Sequence, residues 1–217
     1  EIQTFEKAFD KEFSKLKDKS GKLEIVGSYR RGAKTSGDID VILSNDGKDK
    51  DLFNKFITAL HDKGLIVDIL SKGRIKSMVV AQLPGKPVRR VDFMYAPQKE
   101  FPFAILYFTG SKGFNVMMRE RARQQGYSLN EHRFTKLSDK TVPMISFPTE
   151  RSIFDFLKMV YKTPSERKDG RAVLAQPTAK LCDAAAIQIK QKPPKKKTLK
   201  KKKRSVAEKR LLLFQEE

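Results

Sequence analysis

Two aspartates one residue apart interrupt a run of strand-forming residues, Gly37-Asp38-Ile39-Asp40-Val41-Ile42-Leu43. Side chains alternate faces along a strand, so a strand over 38–43 puts both carboxylates on one face. Ile39 and Val41 then point to the other face, toward a core. The chain must therefore build a sheet that is apolar on one side and carries paired negative charge on the other. At ~4 Å and an effective dielectric of ~20, two carboxylates repel by about 4 kcal/mol. A divalent cation removes that cost. Oxygen-only ligands suit Mg²⁺, which keeps several waters and pairs with phosphate. Taken alone, Asp-x-Asp also fits a polar strand edge.

Two neighbouring patterns shift the balance toward chemistry. In Arg89-Arg90-Val91-Asp92-Phe93, Arg90 and Asp92 share one face of a strand and Val91 and Phe93 the other. If that strand lies beside the first, Asp38, Asp40 and Asp92 can hold two metals ~3.5–4 Å apart, the arrangement that supports in-line displacement at phosphorus. Upstream, Val26 runs into Gly27-Ser28-Tyr29-Arg30-Arg31-Gly32. A strand ending in Gly-Ser lets backbone N–H groups approach phosphate oxygens, and the Ser28 hydroxyl adds a donor. Arg31 can add charge-assisted bonds to the same oxygens.

Hydrophobic spacing places these motifs. Ile2, Phe5, Phe9, Phe13 and Leu16 predict an amphipathic helix over 2–17, broken by Ser20-Gly21. A strand is predicted over 23–26, a helical turn or loop over 28–34 and a helix over 51–63 stopped by Gly64. Strands are predicted over 65–70, 75–83 and 88–95, with Pro84-Gly85 turning between the last two. Residues 103–109 form a short aromatic-rich stretch. Residues 112–125 read as a helix with Ser111 as N-cap and Gly126 past its end. Hairpin strands follow near 127–136, then a helix over 149–160 and a loose helical tendency around Ala184. A domain boundary is expected near residue 97.

The chain of 217 residues is strongly basic, with a formal net charge of +20. The excess is uneven: Lys190–Glu217 holds 12 Lys or Arg against 3 acids and includes Lys200-Lys201-Lys202-Lys203-Arg204. Such blocks repel themselves and stay unfolded, and they suit nuclear import or a polyanion. The remainder is also basic, which favours a nucleic-acid partner through counterion release. No apolar run approaches the ~20 residues of a membrane helix. The single cysteine, Cys182, excludes an internal disulfide. The start at Glu1-Ile2-Gln3, without an initiator Met, fits a fragment or a processed product.

The stretches GSYRRGAKTSGDIDVIL (27–43), LSKGRIKSMVVAQLP (70–84), RRVDF (89–93), LYFTGSKGFNVMMR (106–119), GYSLNE (126–131) and SIFDFLKMVYKTPSER (152–167) together resemble the X family of DNA polymerases. The resemblance implies an α+β fold: a nucleotidyltransferase palm with a mixed β-sheet flanked by helices over 1–97, a smaller α/β nucleotide-binding subdomain over 98–169, and a disordered basic tail over 170–217. It implies that Asp38 and Asp40 bind both of two Mg²⁺ ions, which Mn²⁺ can replace, and that Asp92 is the third ligand and helps activate the primer 3′-hydroxyl. Ser28, Arg31 and Gly37 match phosphate contacts of the incoming nucleotide. Tyr107, Phe108 and Gly110 match the segment against its sugar, and Asn115 a contact to its base. Arg90 matches a residue near the primer end and Arg119 one on the template strand.

The implied activity is DNA-directed addition of deoxynucleoside triphosphates to a primer in gap-filling repair, by a monomer on primer-template DNA, in the nucleus and away from membranes. A template-independent nucleotidyltransferase and a truncated DNA-binding fragment are the alternatives. Family members carry a helix-hairpin-helix module and often a lyase domain ahead of the palm, and this sequence has neither, so lyase activity is not expected. Lys112 stands where a relative has an acid near the base. Met94 stands where a relative has an arginine that meets a metal-site aspartate.

Overall fold

A computed structural model describes residues 1–174. The expectations placed on the basic tail and on Ala184 lie outside the described residues, apart from the first few residues after 169.

A five-stranded mixed sheet in the order β1-β2-β5-β4-β3 forms the first half of the chain. The strands are β1 (Lys22–Ile25), β2 (Ile39–Ser44), β3 (Ile66–Lys72), β4 (Lys76–Ala81) and β5 (Arg89–Tyr95). β2 and β5 run parallel; the other pairs are antiparallel. Helices α1 (Ile2–Ser14) and α3 (Leu52–Asp62) cover one face. Phe5 and Phe9, four residues apart, fall on one side of α1 and are fully buried. Phe9 meets the edge of Phe93 at 5.2 Å between ring centroids, and Phe56 of α3 meets the same ring at 5.6 Å. Val41, Leu43, Val79 and Val91 complete this core from the sheet.

The opposite face is covered only in part. Ile42 and Met94 pack there against Ala104 and Ile105 of α4 (Phe101–Thr109). The sequence reading left 103–109 without a helix, because α4 shows no polar face. It is apolar all round since it is buried between two cores, and that erases the 3.6-residue pattern. Its other side joins a second, aromatic core. Phe103 and Leu106 pack with Phe114 and Met118 of α5 (Lys112–Gln124), Phe134 of the β6–β7 hairpin (Tyr127–Leu129, Phe134–Lys136) and Phe154 of α6 (Glu150–Phe156).

Several boundaries differ from expectation. The strand expected over 38–43 begins at Ile39, so Asp38 precedes β2 rather than lying within it. The helix expected over 2–17 ends at Ser14, followed by Lys17 at φ 55°. The helix expected over 149–160 ends at Phe156, followed by Lys158 at φ 52°. Positive φ reverses the chain and cannot continue a right-handed helix. The turn at 28–34 contains a short helix, α2 (Gly27–Arg30). The cap read from sequence is present, with Ser111 Oγ accepting from Phe114 N, and Thr149 Oγ1 caps α6 in the same way by accepting from Ser152 N.

Candidate active site

β2 and β5 bring two carboxylates together because they pair in parallel register. Asp40 is the register partner of Asp92. The alternation that buries Ile39, Val41, Val91 and Phe93 leaves both aspartates on the face that α1 and α3 do not cover. Asp38 joins from the turn before β2.

Cations hold this acidic group in place. Arg90 donates a short hydrogen bond from Nη2 to Asp38 Oδ2, and its Nε lies 3.6 Å from Asp92 Oδ1. Lys76 Nζ lies 3.9 Å from Asp92 Oδ2. Asp92 Oδ1 is buried and accepts no hydrogen bond. Burial raises the Asp40 carboxyl to about 6, and the charges of Asp38 and Asp92 add to the shift. The raised Asp40 and the unbonded Asp92 oxygen mark a site short of positive charge.

An orphaned carboxylate oxygen and three clustered oxygen donors fit a hard divalent cation. Among the described residues no three acidic, His or Cys side chains stand in a formed metal cage. The guanidinium of Arg90 bridges Asp38 and Asp92 instead.

The loop after β1 meets this group closely. Gly27 has φ 67°, and a Cβ there would sit 2.6 Å from Asp40 Oδ2. Glycine is thus required twice over, by backbone conformation and by the approach of Asp40. Ser28 Oγ and Ser36 Oγ share a hydrogen bond of 2.6 Å, and Ser36 Oγ donates to Asp38 O at 2.8 Å. Ser28 is thereby fixed to the turn that carries Asp38.

A cavity of about 510 Å³ opens in front of these residues. Ser28, Arg31, Asp38 and Asp40 line one wall; Tyr107, Phe108 and Gly110, from the end of α4, and Asn115 and Arg119, from α5, line the other. Phe114, Met118 and Ala122 are buried one position away on the same helix, so α5 packs with one stripe and presents the next to the cavity. Asn115 Nδ2 donates to Tyr107 O at 2.6 Å, and Arg31 Nη1 donates to Thr109 O at 2.5 Å. Lys112 and Val116 also line the cavity.

Three expected site residues lie outside that lining. Gly37 is exposed, and a Cβ there would meet nothing within 4 Å. Arg90 sits at its edge through its contact with Asp38, and Asp92 through its pairing with Asp40. Met94 is buried against α4, so its position offers no cation to the aspartates. Sequence reasoning missed Lys76, and it missed a buried ionic cluster of Arg30, Glu150 and Arg167 behind the cavity. Polar residues that pair across 120 positions leave no periodic trace.

Comparison with known proteins agrees with this geometry. The family model for the DNA polymerase beta palm matches residues 1–98, and that for the DNA polymerase beta thumb matches residues 104–168. The chain is 34% identical over 158 residues to DNA polymerase lambda of Rattus norvegicus, covering 65% of this chain and 28% of that protein. It is 28% identical over 162 residues to DNA polymerase lambda of Arabidopsis thaliana, covering 31% of that protein. It is 26% identical over 160 residues to Repair DNA polymerase X of African swine fever virus (isolate Pig/Kenya/KEN-50/1950), covering 74% of this chain and 89% of that protein. The chain thus spans under a third of the lambda polymerases and most of the viral enzyme. Two consecutive family models, which together take in both halves of the cavity lined by Asp38, Asp40 and α5, lead to one conclusion: the chain belongs to the X family of DNA polymerases.

Proposed function

We propose that the chain is a DNA-directed repair polymerase that adds a deoxynucleotide to a primer 3′-hydroxyl and releases pyrophosphate. The observation that carries this reading is the cavity itself, which faces Ser28, Arg31, Asp38 and Asp40 toward Tyr107, Phe108, Asn115 and Arg119. Residues 1–97 would be the catalytic palm, 98–169 the nucleotide-binding subdomain and 170–217 a basic tail. The extent of the match to the viral protein named a repair polymerase supports activity in a chain of this size.

In this reading Ser28 and Arg31 bind the β- and γ-phosphates, with Gly37 at the edge. Tyr107, Phe108 and Gly110 pack against the sugar and disfavour a 2′-hydroxyl. Asn115 spends one amide N–H on Tyr107 O and keeps its other N–H and its carbonyl for the base edge. Arg119 meets the template strand.

Asp38, Asp40 and Asp92 would hold two Mg²⁺ ions, which Mn²⁺ can replace. When bound, these ions ease ionisation of the primer hydroxyl and neutralise charge on the transferring and leaving phosphates. Asp92, whose Oδ1 accepts no hydrogen bond, takes the hydroxyl proton. Arg90 leaves Asp38 and stands beside the primer end. The new bond joins the primer oxygen to the α-phosphorus, and the bond to the β-phosphate breaks.

The basic runs after residue 190 support nuclear import. No helix among the described residues is long and apolar enough to cross a membrane. The test is extension of a labelled primer on a one-nucleotide gap and as a bare single strand, with Asp38→Ala/Asp40→Ala protein alongside. Templated addition lost in the variant is expected. Equal addition to the bare primer would make the chain a template-independent transferase. DNA binding without addition would leave it a DNA-binding fragment.

A further inference from the structure

We propose that Gly170 is a positioning residue: it seats a strap, residues 169–174, directly on the first turns of α5 and so sets where Asn115 stands in the cavity. The proposal rests on the reading of the cavity as a nucleotide site and deepens it. The match to the family thumb model ends at residue 168, so the strap lies beyond the span that model describes.

The strap is fastened at both ends. Ser111 N, at the start of α5, donates to Arg167 O at 3.2 Å, and Val160 N donates to Leu174 O at 2.9 Å. Between these points Asp169 turns the chain. Its Oδ1 accepts from Arg171 N at 2.8 Å, and its Oδ2 pairs with Arg171 Nη2 at 2.6 Å. Gly170–Ala172 form a single tight turn, and Ala172 and Val173 pack against the second core.

Two glycines let this turn meet the helix. Gly113 lies in the first turn of α5, although glycine is a poorer helix former than alanine. Neither Gly113 nor Gly170 has a positive φ, so backbone conformation does not demand either one. Space demands Gly170: a Cβ there would sit 2.5 Å from Met117 Cγ and 3.2 Å from Gly113 O. Real Cβ contacts are not that short, so an added methyl group displaces either the strap or α5.

That displacement reaches the cavity. Gly113 and Met117 are four residues apart and form one stripe of α5. Phe114 and Met118 form the buried stripe on one side of it, and Lys112 and Val116, with Asn115, line the cavity on the other. Packing on a single stripe leaves a helix free to roll about its axis. Packing on two stripes fixes the roll, and with it the direction of Asn115.

The test is gap filling and nucleotide binding by the full chain, comparing wild type, Gly170→Ala, Met117→Ala and the double variant. Nucleotide binding by the wild type is read first, and its absence would overturn the nucleotide reading and this proposal with it. Gly170→Ala is expected to raise KM for the correct deoxynucleotide about five- to tenfold with kcat within about twofold, because Asn115 acts on binding and not on the reacting phosphorus. Met117→Ala removes packing without pushing on the helix, so Tm should fall while KM stays within about twofold. In the double variant the nearest side-chain atom to the new methyl group is Cβ of residue 117, 3.7 Å away, an ordinary contact. Its KM should therefore return to within about twofold of wild type although its Tm stays lower. Val173→Ala loosens the strap from the core side with no added bulk and should raise KM about threefold. It carries the test if Gly170→Ala folds poorly. An unchanged KM in both Gly170→Ala and Val173→Ala, or a KM that follows Tm through all the variants with no rescue in the double, would make the strap structural only and overturn the proposal.

Discussion

Asp40 and Asp92 are direct neighbours across the parallel strands β2 and β5, and the register that pairs them also buries Val41 and Phe93 on the opposite face. A slip of β2 by one residue would turn Asp40 into the core and Val41 out of it. The site and the core are therefore specified by a single choice of register.

The charge cluster makes the metal-free protein sensitive to pH. Asp40 ionises near the ordinary 3.8 when unfolded and at about 6 when folded. The folded state thus holds this proton more tightly. Its contribution favours folding at low pH and turns against it as pH rises from about 4 through 6. In chelator, Asp40→Asn should melt above wild type at pH 7.5, and the gap should close toward pH 4. Partial exposure of Asp40 screens the effect, and each ~1 kcal/mol relieved shifts Tm by roughly 2–4 °C at this size. Thermal melts of both proteins across that range check it.

Arg90 competes with any cation for Asp38 and Asp92. Replacing Arg90 by Gln removes a positive charge and a charge-assisted hydrogen bond from the metal-free state. Mn²⁺ should then bind the free protein about tenfold more tightly, the equivalent of one such bond. Electron paramagnetic resonance of free Mn²⁺ measures this without reference to turnover. Weaker binding would mean that Arg90 assembles the acids rather than blocking them.

Gly27 takes a side chain only at the cost of a strained backbone and a displaced Asp40 carboxylate. Gly27→Ala places a Cβ on Asp40 Oδ2 and forces a side chain into φ 67°. The expected loss of stability is about 1–3 kcal/mol. Nucleotide addition should fall much further, because the loop and Asp40 must separate. Urea denaturation and gap filling on the same protein separate the two effects.

Phe93 joins both helices to the sheet through its contacts with Phe9 and Phe56. Phe93→Ala should cost about 3–5 kcal/mol. The backbone beside Asp92 loses its buried anchor, so a protein that still folds should show weakened metal binding as well. Denaturant melts and Mn²⁺ titration check these together.

The α1 face was legible because Phe5 and Phe9 repeat at helical spacing, and α5 because Phe114, Met118 and Ala122 do so behind a Ser111 cap. Helix α4 was not, since burial between two cores makes every side of Phe101–Thr109 apolar. The Asp38–Asp40 pair was legible as two neighbouring carboxylates on one side, and both line the cavity although Asp38 lies before the strand, because the spacing of charge survives a shift of one residue in the boundary.

Apart from α4, local sequence determined which segments form strands and helices, which face of each is apolar, and that Asp40 and Asp92 each face away from a core. Those properties depend on neighbours a few positions apart, through the two- and nearly four-residue repeats of backbone geometry. Only the tertiary structure decided that β2 lies beside β5, that Arg90 bridges Asp38 and Asp92, and that Glu150 joins Arg30 to Arg167. These are contacts between segments dozens of residues apart, selected by how the sheet and two cores close together. An ion pair across such a distance imposes no pattern on the residues around either partner.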